Sequence, residues 1–290
     1  MSAMRARRSA LYMPGSNPRA LEKARDLPAD ALILDLEDAV APERKEEARR
    51  AVCAAIASGG YGRRELLVRV NALDTPWGAD DLAAVATAGA DGIVLPKVNS
   101  PAEVQQAARL LEAASAPPGL ALWIMAETAR CILHIDAIAG SHPRLAGILM
   151  GTSDLARECR IRHTPDRLGF LSTLSTCVLA ARAHGLEILD GVHLDLDDDD
   201  GLARSCAQGR DLGFDGKTII HPKQLAAANT AFAPSPEGLA RARRIREAWR
   251  ETAAAGKAVV VVDGKLVENL HVQEAERELA LAAQIDAMGW

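Results

Sequence analysis

The stretch "ALILDLEDAV", residues 31–40, decides how this chain is read. Its first half is apolar at consecutive positions rather than alternate ones, the pattern of a strand buried on both faces. Its second half brings Glu37 and Asp38 side by side. Adjacent carboxylates at the end of a buried strand are costly unless something pairs with them. The stretch therefore predicts a parallel strand that delivers charge to a site.

Working outward, the same kind of run recurs as "ALYMPG" (10–15), "LLVRVN" (66–71), "GIVLPK" (92–97), "LALWIMAET" (120–128), "AGILMGT" (146–152), "EILDGV" (187–192) and "KTIIHP" (217–222). Segments such as "PERKEEARRAVCAAIAS" and "PAEVQQAARLLEAAS" lie between them, with apolar residues at helical spacing. Eight such units predict a (β/α)8 TIM barrel as the catalytic domain, residues 1–225. An open doubly wound sheet is the alternative fold, but no GxGxxG follows the first strand. Residues 226–290 abandon the alternation. "FAPSPEG" reads as a hinge, followed by a helix, the strand-like "AVVVVDGKLV" and a second helix. This predicts a C-terminal helical lid extension serving oligomerisation.

With 290 residues, 49% of them hydrophobic, the chain can bury a large core. A formal charge of −5 argues against a nucleic-acid or membrane-surface partner. Five scattered cysteines without a CxxC pair argue against a disulfide framework or zinc site and suggest reduced thiols in the cytoplasm. The basic start "MSAMRARRSALYMPG" lacks the apolar core of a signal peptide, and no run approaches the ~20 apolar residues of a membrane span.

Reacting groups of such barrels sit at the C-terminal ends of the strands. The polar residues expected there are Glu37, Asp38, Arg69, Asn71, Lys97, Glu127, Asp154, Asp190 and His221. Each has a plain structural reading. Asp38 and Asp154 could cap the helices that follow, Lys97 could be a solvated loop residue, and His221 could bond within the core. Cys131 and Cys159 read as packing residues, and "DLDDDD" as a solvated turn leading into a helix. Glu127 and Asp154 end successive strands, and two hard oxygen donors beside water and substrate are how proteins hold Mg2+, or Mn2+. Arg69 offers a planar fork of donors to a carboxylate or a developing enolate. Glu37 and Asp38 would balance the metal and Arg69 from behind.

The motifs "RSALYMPGSNPRALEKA", "DLEDAV", "RVN", "LPK", "ET", "GTSDL" and "GFDGKTIIHPKQ" carry a resemblance. In this order, from Arg8 to about Leu281, they resemble the citrate lyase beta-subunit-like family, the CoA-ester aldolases of the HpcH/HpaI superfamily. The resemblance implies a Mg2+-dependent TIM barrel assembled as a homotrimer or hexamer and acting on a small-molecule CoA thioester. By it, Glu127 and Asp154 would ligate the metal, and Arg69 would contact the thioester carbonyl and substrate carboxylate. Glu37 and Asp38 would complete the inner site. Gly151 and Thr152 would meet the acid end of the substrate, and Arg19 and Lys23 the CoA phosphates.

The tail departs from the family's carbon–carbon lyases. Where they carry an Asp in a motif like "MID-P", this chain has "KLVENLHV" with Glu268. The tail and the "GLEILDGV" region look more like the malyl-CoA thioesterase branch, which releases free CoA. The implied reaction is hydrolysis of malyl-CoA with Glu268 as general base. Cleavage of malyl-, methylmalyl- or citramalyl-CoA, and a citrate-lyase beta-type subunit, are the alternatives.

Overall fold

The computed structural model describes residues 5–254 and 258–290. All eight apolar runs form strands: β1 Ser9–Pro14, β2 Ala31–Asp35, β3 Glu65–Arg69, β4 Gly92–Leu95, β5 Ala121–Ala126, β6 Leu145–Met150, β7 Glu187–Asp190 and β8 Gly216–Ile219. Each pairs in parallel with the next, and β8 returns to β1 through Ser9 opposite Lys217, so the sheet closes into a barrel. Helices intervene between the strands. Every residue of β2, β3, β4 and β8 is buried, including the charged Asp35, Glu65, Arg69 and Lys217, which is why the strands read as apolar runs interrupted only where an ion pair is buried.

Strand side chains alternate between faces. Ala31, Ile33, Leu67, Val94, Trp123, Met125, Leu149 and Leu189 meet inside the barrel. Their neighbours Leu32, Leu34, Val68, Ile93, Ile124, Ile148 and Ile188 pack outward in the cluster shared with the helices. Trp123 fills the barrel, and Gly147 makes room for it: a Cβ at that position would lie 2.2 Å from the indole. The β5–β6 register shifts between Leu122 and Trp123, which sets the ring opposite that glycine. Arg7 lies 5.2 Å from the ring centroid and donates to Glu65 Oε1 at 2.8 Å.

The acids after β2 do not cap a helix directly. Asp35 accepts from the backbone N–H of Glu37 at 2.9 Å and of Ala39 at 3.0 Å, holding this segment as a turn. Pro42 keeps Ala41 extended and starts a short 3-10 turn, Pro42–Arg44. The helix, Lys45–Ser58, begins only then, so the capping reading of Asp38 is corrected. Ala48, Val52 and Ile56, four apart, form its buried face.

The chain divides into two compact units: Arg7–Phe232 contains the barrel, and Ala233–Trp290 makes up most of the second. In the second, helices Pro236–Ala254 and Asn269–Met288 accompany a hairpin of β9 Val260–Val262 and β10 Lys265–Val267. Ala242, Ile245, Val262, Val267, Val272 and Ala275 form its own core. No helix among the described residues is long and apolar enough to cross a membrane, and all five cysteines are free.

Candidate active site

The inward alternation continues past the apolar layers to the C-terminal ends of the strands. Ala31 and Ile33 are followed by Asp35, Leu67 by Arg69, Trp123 and Met125 by Glu127, and Leu149 by Gly151. Asp35, Arg69, Met125, Glu127 and Gly151 of this set, with Tyr12, Asp38, Thr152, Asp154, Val192, Leu194 and Ile220, line a cavity of about 330 Å³. Its lining combines ionic side chains with apolar ones such as Met125, Val192 and Leu194.

Arg69 anchors one side. Its Nε donates to Asp35 Oδ1 and its Nη2 to Asp35 Oδ2, each at 2.7 Å. This bidentate pair is almost wholly buried and fixes the plane of the guanidinium. The fork expected to face substrate is therefore occupied by Asp35, and only Nη1 is left toward the cavity. Nη1 meets Glu37 Oε2 at 2.9 Å, Asp38 Oδ2 at 3.2 Å and Met125 Sδ at 3.6 Å. The cation also stacks 4.9 Å from the Tyr12 ring centroid. Burial works against the charge of Arg69, but Asp35 and its other anionic neighbours outweigh it and raise its pKa well above the ordinary value. Burial pushes Glu37 up to about 7, with Asp38 and Glu127 adding to the rise and Arg69 opposing it.

Glu127 and Asp154 form the other side, and Lys97 stands between them. Lys97 Nζ is 2.6 Å from Asp154 Oδ2 and 3.4 Å from Glu127 Oε2. The lysine backbone is left-handed, with φ 55°, a conformation that costs a non-glycine residue about 1 kcal/mol. Glu127 Oε1 holds it there by accepting the Lys97 N–H at 2.7 Å. Burial raises the pKa of Glu127, and Asp154 adds to the rise against Lys97 and Arg69. Burial disfavours the Lys97 charge, yet Asp154 and Glu127 outweigh it and the pKa rises. Gly151 permits this arrangement, since a Cβ there would lie 2.7 Å from Glu127 Oε2. Asp154 lies in the first turn of helix Thr152–Cys159, where it caps no backbone N–H but meets Arg157 at 2.6 Å.

Residues 8–222 match the HpcH/HpaI aldolase/citrate lyase family. The chain belongs to that family. The (3S)-malyl-CoA thioesterase of Cereibacter sphaeroides is 51% identical over 280 residues, covering 97% of this chain and 96% of that protein. Citrate lyase subunit beta of Escherichia coli is 36% identical over 283 residues, with 96% and 94% covered. Among solved structures, protein CitE of Mycobacterium tuberculosis, in complex with magnesium, acetoacetate and coenzyme A, aligns with a TM-score of 0.73. That alignment covers 97% of this chain and 99% of CitE at 31% identity.

Several residues expected at the mouth of this family member lie elsewhere. Asp190 ends β7 but faces outward, opposite in parity to Leu189. It is completely buried between Lys217 Nζ at 2.9 Å and Arg167 Nη1 at 2.8 Å, with Ser205 beside Lys217. Burial opposes its charge, but the two cations outweigh it and hold its carboxyl below the usual range. Asn71 is also buried, tying the loop after β3 to Asp81 at 2.6 Å and to the Leu36 carbonyl at 3.0 Å. His221 is exposed rather than in the core, and its Nδ1 accepts the Lys223 N–H at 3.2 Å. Cys131 is buried, and burial pushes its thiol up, whereas Cys159 is exposed rather than packed. Asp198, within the acidic run, caps helix Asp199–Leu212.

Arg19 and Lys23 are exposed on the short helix Pro18–Lys23 after β1. Glu268 is exposed in the second unit and stands at the start of helix Asn269–Met288, where its N–H donates to His271 Nδ1 at 3.0 Å. Sequence reasoning passed over Asp35 and Tyr12. Counting alternate positions back from the strand end would have found Asp35.

Proposed function

We propose that this protein hydrolyses (3S)-malyl-CoA to malate and free CoA in a Mg2+-dependent site at the mouth of the barrel. The carrying observation is the convergence of Glu127 and Asp154 within one cavity with the Nη1 edge of Arg69. The 51% identity to a (3S)-malyl-CoA thioesterase supports the choice of substrate.

The donor set suits the metal. Among the described residues no three His, Cys, Asp or Glu side chains gather as a metal cage. Mg2+ commonly takes one or two carboxylates and keeps water or substrate oxygens for the rest. The pair already holds a cation, the Lys97 ammonium, 2.6 Å from Asp154 Oδ2 and 3.4 Å from Glu127 Oε2. Glu127 Oε2 and Asp154 Oδ2 would hold Mg2+, or Mn2+. When bound, the ion supplies a Lewis-acid anchor for the 2-hydroxyacid end of the substrate.

The chain's own groups do the rest. Asp35 orients Arg69, whose Nη1 exchanges its longer contact with the exposed Asp38 for the thioester oxygen and stabilises the oxyanion. The backbone at Gly151 and Thr152 meets the malyl carboxylate at a helix start, and Arg19 and Lys23 attract the CoA phosphates. Tyr12, Met125, Val192 and Leu194 limit water around the reacting carbon. Glu268, brought by the tail of another subunit in a homotrimer or hexamer, removes a proton from the attacking water. The C–S bond then breaks, and CoA leaves as the thiol after taking that proton. Glu37 and Asp38 keep the charge around Arg69 balanced. We place the enzyme in the cytoplasm, where its five free thiols stay reduced.

The test is to incubate the purified protein with malyl-CoA and Mg2+ and quantify products. Malate plus free CoA is expected. Glyoxylate plus acetyl-CoA would replace this reading with carbon–carbon cleavage. Glu268→Gln should lower CoA release by about 100-fold. An unchanged rate would remove Glu268 from the mechanism.

A further inference from the structure

Lys97 has no part in the hydrolysis described above, yet its ammonium stands where the metal would be held. Nζ lies 2.6 Å from Asp154 Oδ2 and 3.4 Å from Glu127 Oε2. The contact is an ion pair with the two carboxylates, for which another cation can compete. The main chain at Lys97 is pinned on both sides. Its N–H donates to Glu127 Oε1 at 2.7 Å, and its carbonyl accepts from Asn99 Nδ2 at 2.7 Å. Any movement of Nζ must therefore come from the side-chain torsions.

There is room for that movement. Lys97 also borders a second cavity of about 310 Å³, lined by Asn71, Asp74, Asn99 and Glu103 among others. The carboxylates of Asp74 and Glu103 give this cavity negative charge. Glu103 Oε2 accepts the Asn99 N–H at 2.6 Å, which fixes one of the two acids in place.

We propose that Lys97 is a tethered cation that fills the metal position in the metal-free enzyme and swings into the neighbouring cavity when Mg2+ binds. The inference rests on the metal reading given above. In the metal-free state the ammonium screens Glu127 from Asp154 and keeps the pair assembled. A divalent ion then binds only to the fraction of molecules whose ammonium has left, and the apparent affinity falls by that fraction. If the occupied state outweighs the open one by about ten to one, Mg2+ binds about tenfold more weakly than to the bare carboxylates. A lysine that merely braced Asp154 would have the opposite effect, because its removal would loosen the site.

The sign of the change in affinity separates the two roles. Mg2+ would be titrated calorimetrically, without substrate, into the full-length wild type and into Lys97→Met, Lys97→Gln and Glu127→Gln. Both Lys97 variants are expected to bind Mg2+ about tenfold more tightly, and Glu127→Gln to lose binding. Lys97→Gln keeps the length and polarity needed for folding if Lys97→Met does not fold. Equal or weaker Mg2+ binding by a folded Lys97 variant overturns the inference and leaves the metal site standing. Mg2+ binding that is indifferent to Glu127→Gln overturns the metal reading and this inference with it.

Discussion

Two buried ion clusters lie at strand ends on either side of β1, and they face opposite ways. Arg69 with Asp35 faces inward, and one guanidinium edge reaches a cavity. Lys217 and Arg167 with Asp190 face outward, and the cluster is closed by Ser205. The ingredients are the same: a strand-end acid, a long cation and near-complete burial. What differs is the parity of the acid along its strand. Asp35 continues the inward set of Ala31 and Ile33, while Asp190 is one step out of phase with inward Leu189. A single-residue change of phase thus separates an acid that faces the cavity from one sealed behind the barrel wall.

The comparison is tested most severely by Asp190→Asn. That change leaves Lys217 and Arg167 buried with their charges unmatched, and losing one partner of a buried pair costs about 3–5 kcal/mol. We expect a large fall in the urea midpoint with activity per folded molecule unchanged. Lost activity in a fully stable variant would break the distinction. Arg69→Met also strips the buried Asp35 of its partner and should cost stability, but unlike Asp190→Asn it should lower kcat/KM for malyl-CoA per folded molecule by about 10²–10³ through the loss of an oxyanion donor. Near-normal turnover by that variant would place the reacting carbonyl elsewhere.

A smaller effect is expected from Gly151→Ala. The added Cβ would sit 2.4 Å from the Glu127 Cβ, and relieving such overpacking costs about 1–3 kcal/mol. Mg2+ dependence should shift to higher concentrations while circular dichroism stays native. An unchanged Mg2+ requirement would show that the Glu127 carboxylate need not be held so tightly.

The smallest effect concerns the base of the barrel. Burial, with Asp215 adding to it, pushes Glu187 up to about 7 against the pull of Arg7 and Arg182. A carboxyl raised in the folded state binds its proton more tightly there than in the unfolded chain. Its stabilisation is complete below the unfolded value and is lost as pH rises through about 7. Glu187→Gln should therefore flatten part of the decline in melting temperature between pH 5 and 8. The gain at the upper end is about 2 °C, kept small by solvent screening of a partly exposed group. Parallel pH profiles for the two proteins would argue against the raised carboxyl.

The barrel was legible because strands covered on both faces leave unbroken apolar runs, and each of the eight runs became a strand. The acids were harder to place. Asp35 was hidden inside the run "ALILD", where an acid reads as an interruption rather than as the inward end of the strand. Asp190 looked equivalent to Glu127 because both end strands, and only alternate counting separates them. The left-handed backbone at Lys97 leaves no mark in "VLPKVN", since it depends on a hydrogen bond to Glu127, thirty residues away. For Asp38 the sequence leaves a cap open beside the role at Arg69, because the residues after it suit a helix. The turn organised by Asp35 and Pro42 defers that helix to Lys45.

The pairing of Ser9 with Lys217 has a consequence for how the protein is made. The first strand must wait for the last, roughly 200 residues later in synthesis, before its outer edge is covered. At ordinary rates of about 5–20 residues per second, the ribosome leaves an open sheet with a bare edge for tens of seconds. Such an edge can recruit strands from other nascent chains. Crowded overexpression should thus damage the yield of this protein before any flaw in its finished stability becomes visible, and slowing initiation rather than elongation should recover it.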